Sequence, residues 1–343
     1  MPRKGFWPGV SAYPEPYKPV MTLRSDALAA GDDAIRPFQV DALDIRGRAI
    51  QMGPVLDAIL ARHDYPAPVS RVLGEAIVLT VLLGSSLKSE ARFTLQTKTD
   101  GPVRMLVVDY RTSGDIRAYA SFAAEAVAAV RSDRAGVLLG SGVLAMTIDQ
   151  GSRAGRYQGV VTLNGDDLEA AAHAYFRQSE QIPTKVRLAV AEMHVRDNGE
   201  LKRRWRAGGL IAQFLPDAPG RVSPRDLPGG DAPEGAAPPP EAVEDDAWIE
   251  ARSLVSTVED HELLDPEVPV DRLLYRLFHQ RGVRVFGTRP VADQCSCSRE
   301  RIDAILRQFS AEEIADSVED GAITVTCEFC GTHYAFDPVG FGG

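Results

Sequence analysis

Between positions 54 and 84, apolar residues recur at helical spacing. Leu56, Ile59 and Leu60 share one face, and beyond Pro66 and Pro68 the set Val72, Leu73, Ala76, Ile77, Leu79 and Leu83 continues the repeat. This predicts buried helix. From Ala91 the period changes to two. Phe93, Leu95 and Thr97 alternate with polar residues, Asp100, Gly101 and Pro102 supply a turn, and a second run follows over 103–110; this is the pattern of a β-hairpin. Further strands are predicted over 116–122, 143–148 and 157–163, each bounded by Gly, Asp or Asn. Asp166, with Glu169 three residues on, suggests a capping box opening a helix through Tyr175 and Phe176 to Ser179. After Pro183 one more strand is expected, over 186–195. The order is mixed rather than strictly alternating, so the expected class is α+β, not a doubly wound sheet.

The periodicity stops at 216–246. That stretch holds eight prolines, four glycines and eight acidic residues against only Arg221 and Arg225. It has too few apolar side chains to offset the entropy of ordering. Beyond it, Trp248, Ala251, Leu254, Val255 and Val258 form one helical stripe, and Leu273, Leu274, Leu277 and Phe278 form a second. Neither helix can bury its stripe alone, so both must dock on the upstream domain or on each other. Short helices held only by docking are the low-stability end of a fold. The expected organisation is a disordered leader over 1–34, an α+β core over 35–215 and a disordered acidic Pro/Gly-rich linker over 216–247. A metastable helical linker over 248–289 and a small module over 290–338 follow.

Charge and composition narrow the partners. The formal net charge is -10, which repels a phosphate backbone and disfavours a nucleic-acid partner. No segment approaches the run of about twenty apolar residues that a membrane helix needs; the longest candidate, 76–84, is interrupted by Thr80. Arg3 and Lys4 are followed by Pro8, Pro14, Pro16 and Pro19, where a signal peptide would carry a continuous apolar stretch. A cytoplasmic protein with no membrane partner is expected.

The candidate chemistry sits near the C-terminal end. Cys295 and Cys297 are followed, after 29 residues, by Cys327 and Cys330, and Gly331 comes next. No cysteine remains to staple the rest of the chain. Four thiolates match the tetrahedral, soft-ligand preference of zinc and leave no open position for a catalytic water. One zinc ion per chain is therefore expected in the reduced state, with Gly331 supplying the positive φ of a knuckle. Between the pairs, Ile302, Ile305, Leu306 and Phe309 predict a helix face, Ser310 and Glu313 a capping box, and 322–326 a strand. A module of fewer than fifty residues rarely builds a sufficient core, so metal binding and folding should be nearly one equilibrium.

Oxidation would consume the ligands. The partners adjacent in the chain are Cys295 with Cys297 and Cys327 with Cys330. From spacing alone, a constitutive zinc ribbon that binds another protein is the simpler reading. A thiol-disulfide oxidoreductase using Cys327 and Cys330 is a further one, although such a nucleophile normally gains its low pKa at a helix N-terminus and this pair follows a predicted strand. His333 is a possible fifth ligand, but four sulfurs already complete the site. His63, His173, His194, His261 and His279 are scattered, and no glycine-rich phosphate cradle occurs. No catalytic residue and no organic cofactor site are expected, so the chain is not read as an enzyme.

Three segments carry a family likeness. The segment 175–184, YFRQSEQIPT, resembles the most recognisable core-domain segment of the 33 kDa chaperonin family. The segment 208–213, GGLIAQ, resembles the end of that core, and CSCSRER at 295–301 with CEFCG at 327–331 resembles the zinc centre. The resemblance covers most of the chain. It implies a redox-regulated holdase of the bacterial cytoplasm, with an α+β core, a metastable linker and a zinc module that unfolds on oxidation to expose apolar surface for unfolding client proteins. It also implies that Cys295, Cys297, Cys327 and Cys330 are the zinc ligands. A homodimer on oxidative activation is left open. Two departures stand out, the leader before Ile35 and the acidic stretch, which is longer than the family norm.

Overall fold

In the computed structural model, which describes residues 32–87, 90–151, 155–197, 200–216 and 244–341, two β-sheets lie on opposite sides of one buried helix. The leader over 1–31 and the acidic stretch over 217–243 fall outside the described residues. The first sheet begins with β1 (Ala34–Val40) and β2 (Ile45–Met52), an antiparallel pair. The run predicted as helix over 54–84 is divided into α1 (Pro54–Leu60), a single 3-10 turn, and α2 (Ala67–Gly84). Asp64 adopts a left-handed φ of 46° between them, and the residue before a proline is biased away from helix, so Pro66 starts the chain afresh. By length and composition α2 could cross a membrane, but it is buried on nearly every side. It touches strands of both sheets and is the centre of the core.

The second sheet follows. Strands β3 (Arg92–Thr99) and β4 (Val103–Arg111) make the predicted hairpin, and β5 (Asp115–Phe122) adds to β4. Phe93, Leu95 and Thr97 all face inward, and the buried Thr97 hydroxyl accepts the Leu106 N–H at 2.9 Å, so no polar group is buried unpaired there. Two short helices, α3 (Ala124–Ala129) and α4 (Ala135–Leu139), lead to β6 (Ser141–Asp149), which joins β3, and then to β7 (Arg156–Asn164) at the edge.

Helix α5 (Leu168–Tyr175) is capped by Asp167, whose carboxylate accepts from Ala170 N–H at 2.8 Å. The expected capping pair of Asp166 and Glu169 does not form. Glu169 is drawn instead to the neighbouring strand, where it accepts the Leu188 N–H at 2.6 Å and pairs with Arg187. The segment 175–184 is a corner anchored by the buried Tyr175, Phe176 and Glu180: a π-helical turn spans Phe176–Glu180, the Tyr175 hydroxyl donates to Glu180 at 2.9 Å, and Gln181 reverses the chain with a φ of 55°.

Strands β8 (Thr184–Asp197) and β9 (Glu200–Phe214) form a long hairpin that joins the first sheet through β9 beside β2 and leaves β8 at its edge. The predicted strand over 186–195 is thus the inner part of β8, and β9 was not anticipated as a strand. Its Gly208 and Gly209 serve opposite faces. A Cβ on Gly209 would overlap Val78 of α2, and one on Gly208 would overlap the Leu263 carbonyl on the outer face. That outer face is covered by α6 (Asp246–Ser256), α7 (Asp260–Leu264) and α8 (Val270–Phe278). Trp248, Val255, Leu273, Leu274, Leu277 and Phe278 bury against Phe38, Ile45, Leu210 and Phe214, while Leu254 is only half-buried. The helices after the acidic stretch therefore dock on the sheet through both predicted stripes.

Two side chains hold the end of α7 and the turn that follows it by their carbonyls, some of which a helix end leaves without internal partners. The buried Gln51 amide donates to the carbonyls of Leu263, Asp265 and Val268 at 3.2, 3.3 and 3.0 Å. Arg206 donates to Leu264 O at 2.9 Å while paired with Asp32. Gly208→Ala should unseat α7, because backbone cannot yield as a flexible side chain can; overpacking of this kind costs about 1–3 kcal/mol. Hydrogen exchange in the reduced protein should show faster exchange across 257–268. Unchanged protection there would contradict this account of the glycine.

The chain then crosses both sheets. β10 (Arg284–Val285) and β11 (Arg289–Pro290) pair with β1, and β12 (Ala292–Asp293) pairs in parallel with β5 of the other sheet. Arg62, just beyond α1, pairs with Asp293, its Nη1 donating to Oδ1 at 2.9 Å. Two residues later comes Cys295.

Candidate metal centre

The last part of the chain forms α9 (Arg299–Leu306), α10 (Ala311–Asp316) and a small sheet of β13 (Val318–Glu319), β14 (Ala322–Thr326) and β15 (His333–Phe336). Ser298 caps α9, and Ser310 with Glu313 makes the predicted capping box on α10. The buried core here is only Leu306, Ile314, Ile323 and Phe336. Ile305 and Phe309, expected on the buried face of α9, are 53% and 43% exposed. The module is too thin to cover a full helical stripe, so one row of contacts suffices.

Local structure brings the sulfurs together. β12 delivers Cys295 beside β5, and the turn ahead of α9 returns Cys297 alongside. On the other side β14 ends at Thr326 and the chain turns tightly: Gly331 N–H donates to Cys327 O at 2.8 Å, and Cys327 N–H to Thr332 O at 2.9 Å. Gly331 has a φ of 69°, which L side chains rarely adopt. All four Sγ atoms lie within 4.8 Å of one another as free thiols. Across the pairs, Cys295 and Cys327 are 3.7 Å apart and Cys297 and Cys330 are 3.3 Å apart. A disulfide would bring sulfurs to about 2.05 Å, whereas a tetrahedron with Zn–S of about 2.3 Å has edges of about 3.8 Å. The donor set thus fits one tetrahedral soft cation.

The electrostatics call for such a cation. Burial and then the neighbouring thiols of Cys330, Cys295 and Cys327 push Cys297 up to about 12, against the lowering effect of the Tyr334 hydroxyl 3.2 Å away. Burial also raises Cys327. Cys330 goes the other way: burial alone would raise it, but the hydroxyl and N–H of Thr332 and the thiols of Cys297 and Cys327 bring it down to about 6. Four thiolates this close cannot all persist near neutral pH unless a positive charge sits among them.

The complete architecture can be set beside known proteins. The Hsp33 protein family matches residues 33–337, nearly all of the described chain. A 33 kDa chaperonin of Caulobacter vibrioides is 44% identical over 314 residues, covering 90% of this chain and 96% of its own length. The chain belongs to the Hsp33 family. A second 33 kDa chaperonin, from Serratia proteamaculans, is 33% identical over 311 residues, 89% of this chain and 92% of that one. The crystal structure of the 33 kDa chaperonin (heat shock protein 33 homolog) from Thermotoga maritima superposes with a TM-score of 0.67 at 20% identity, covering 90% of this chain and 96% of its own. That likeness establishes a shared fold. The family and the relatives' names support a chaperone.

Three residues at the Hsp33 cysteine centre escaped the sequence reading. Tyr334 and Thr332 touch sulfur from the knuckle side, and the alternation of His333, Tyr334, Ala335 and Phe336 on β15 would have placed Tyr334 inward. Arg117 reaches Cys295 from β5 at 3.9 Å, 178 residues away in sequence, and no local pattern could reveal it. His333 stays exposed and bonds to the Thr326 hydroxyl at 2.7 Å. Among the described residues no histidine joins the cysteine cluster.

Proposed function

We propose that this Hsp33-family chain is a redox-regulated holdase, active on unfolding client proteins of the cytoplasm after its cysteine centre is oxidised. The convergence of Cys295, Cys297, Cys327 and Cys330 within 4.8 Å in a module with almost no core of its own supports this reading most directly. In the reduced state the four thiolates hold one zinc ion. When bound, zinc would offset half of the thiolates' charge and cross-link the two ends of the module. Ser298, Ser310 and Gly331 fix the turns that present the sulfurs. The helices over 246–278 meanwhile cover the apolar outer face of the first sheet.

Oxidation removes two electrons for each disulfide formed, and one equivalent of a peroxide per disulfide accepts them. Cys295 pairs with Cys297 and Cys327 with Cys330, the partners nearest in the chain. The C-x-x-C turn closes with less strain than the C-x-C ring, so Cys327–Cys330 forms first. With two ligands gone the module opens, and the strands β10 to β12, which lead along both core sheets to Cys295, lose their anchor. Docking of the helices over 246–278 then fails under mild heat, and their apolar face becomes the client surface. Activation by homodimer formation is compatible with this scheme.

Mass spectrometry of peroxide-treated protein, quenched by alkylation at successive times, checks the order. Cys327–Cys330 should dominate the early species, with Cys295–Cys297 following. An early Cys295–Cys297 bond, or a cross pair such as Cys295–Cys327, would contradict the scheme. A dithiol oxidoreductase is the competing reading, but Cys327 and Cys330 follow a strand rather than opening a helix. Insulin reduction should therefore show no turnover.

A further inference from the structure

The acidic residue Asp109 and the basic residue Arg117 sit directly opposite each other on β4 and β5. Asp109 is buried, and its Oδ1 accepts the Thr94 hydroxyl at 2.5 Å from β3 on the other side. Its Oδ2 accepts from Arg117 Nε and Nη2 at 2.9 and 2.6 Å. This fork fixes the guanidinium plane and leaves Nη1 free to point across the interface. Nη1 lies 3.9 Å from Cys295 Sγ. The guanidinium carbon lies 4.0 Å above the centroid of the Phe329 ring, and Phe329, with Glu328, lies between Cys327 and Cys330. Tyr119, two residues along β5, adds a ring contact to Phe329 at 6.4 Å. One core side chain therefore touches both cysteine pairs, the first through sulfur and the second through the ring between its members.

We propose that Arg117 is the positioning residue that holds the cysteine knuckle against the core sheet while the sulfurs are reduced, and that oxidation cancels the charge it answers. This rests on the zinc reading above. Four thiolates with one zinc ion carry a net charge of -2. Reaction with two hydrogen peroxide molecules forms two S–S bonds and breaks two O–O bonds. Four electrons pass from sulfur to oxygen, and the products are two neutral disulfides, one released zinc ion and four hydroxide ions. The fixed cation at Arg117 thus faces a dianionic sulfur centre before the reaction and uncharged sulfurs after it. Its attraction to the centre, strengthened by partial burial, exists only in the reduced state. The stacking on Phe329 depends on the knuckle turn and is lost when that turn opens. An ordinary cross-strand ion pair would serve the sheet alone and leave zinc kinetics untouched.

The test uses the full chain, purified reduced and anaerobic, with zinc content measured first. Zinc release to a chromogenic chelator is followed under a fixed peroxide concentration. Arg117→Met should release zinc about tenfold faster than wild type, the scale of one partly desolvated cation–π and charge contact. High salt should narrow that gap, because it screens the charge contribution. Arg117→Lys should restore part of the wild-type rate by restoring the charge without the planar fork. Phe329→Leu, which leaves the Asp109–Arg117 pair intact, should speed release and raise hydrogen exchange over 327–331 even if Arg117→Met proves unstable. Wild-type release rates and exchange in both Arg117→Met and Phe329→Leu, with a full zinc complement, would overturn this role and leave the zinc reading standing. Absence of zinc from the wild-type protein would overturn both.

Discussion

Reduced Leu274→Glu protein should suppress aggregation of a heat-unfolded client without any oxidant. Leu274 has no exposed surface and lies on α8 in the cluster that joins the helices to the first sheet. A carboxylate there loses the leucine's packing and must either remain desolvated or take on a proton. Loss of a buried leucine alone costs about 2–5 kcal/mol, and burying an unpaired polar group adds to it. Helices of five to eleven residues held by docking have little intrinsic stability to absorb that cost. The result should be a folded core with an uncovered outer face. The polar anchors should fail together with the packing, since Gln51 and Arg206 can hold the α7 carbonyls only while the helix is seated. Light scattering of the client measures the effect, with Leu274→Met as the conservative control. A reduced Leu274→Glu protein that is folded yet inactive would show that these helices do not gate the client surface.

The second large effect is expected at the cysteines. Cys297→Ser should lose zinc and unfold the region from 290 to 338 while leaving the core intact. Cys297 lies 3.3 Å from Cys330 and shares the site with the other two sulfurs. A serine hydroxyl is a poor zinc ligand beside three thiolates. Structural zinc contributes about 10–16 kcal/mol of apparent binding energy in small modules, and the four buried apolar residues of this one cannot replace it. Metal analysis and limited proteolysis read the two consequences separately. Full zinc with native protease protection would remove Cys297 from the ligand set.

Elements with one buried and one exposed face were legible in the sequence. The hairpin of β3 and β4 shows its alternation and its turn directly, and the stripes of α6 and α8 show which faces dock. What escaped lacks a period. β1 carries Arg36 and Pro37, β2 carries Arg46, Gly47 and Arg48, and β9 has a basic first half followed by a glycine pair. In β2 and β9 both faces are covered, so polar residues such as Arg48, Gln51 and Gln213 are buried there and blur the alternation. Strands β10 to β12 are two residues long and exist only because the chain is laid against finished sheets. At the site, cysteine spacing pointed to the four sulfurs because metal chemistry constrains it locally. Arg117 reaches the same place through tertiary packing alone.

The measurement that bears most directly on the central claim is a single time course on wild-type protein under peroxide and mild heat. It records zinc release, loss of free thiols and suppression of client aggregation together. The account predicts that client holding rises only after zinc has left and follows the loss of all four thiols, and that a reductant reverses it once clients are removed. Full client holding by protein that still retains its zinc and four free thiols would contradict it.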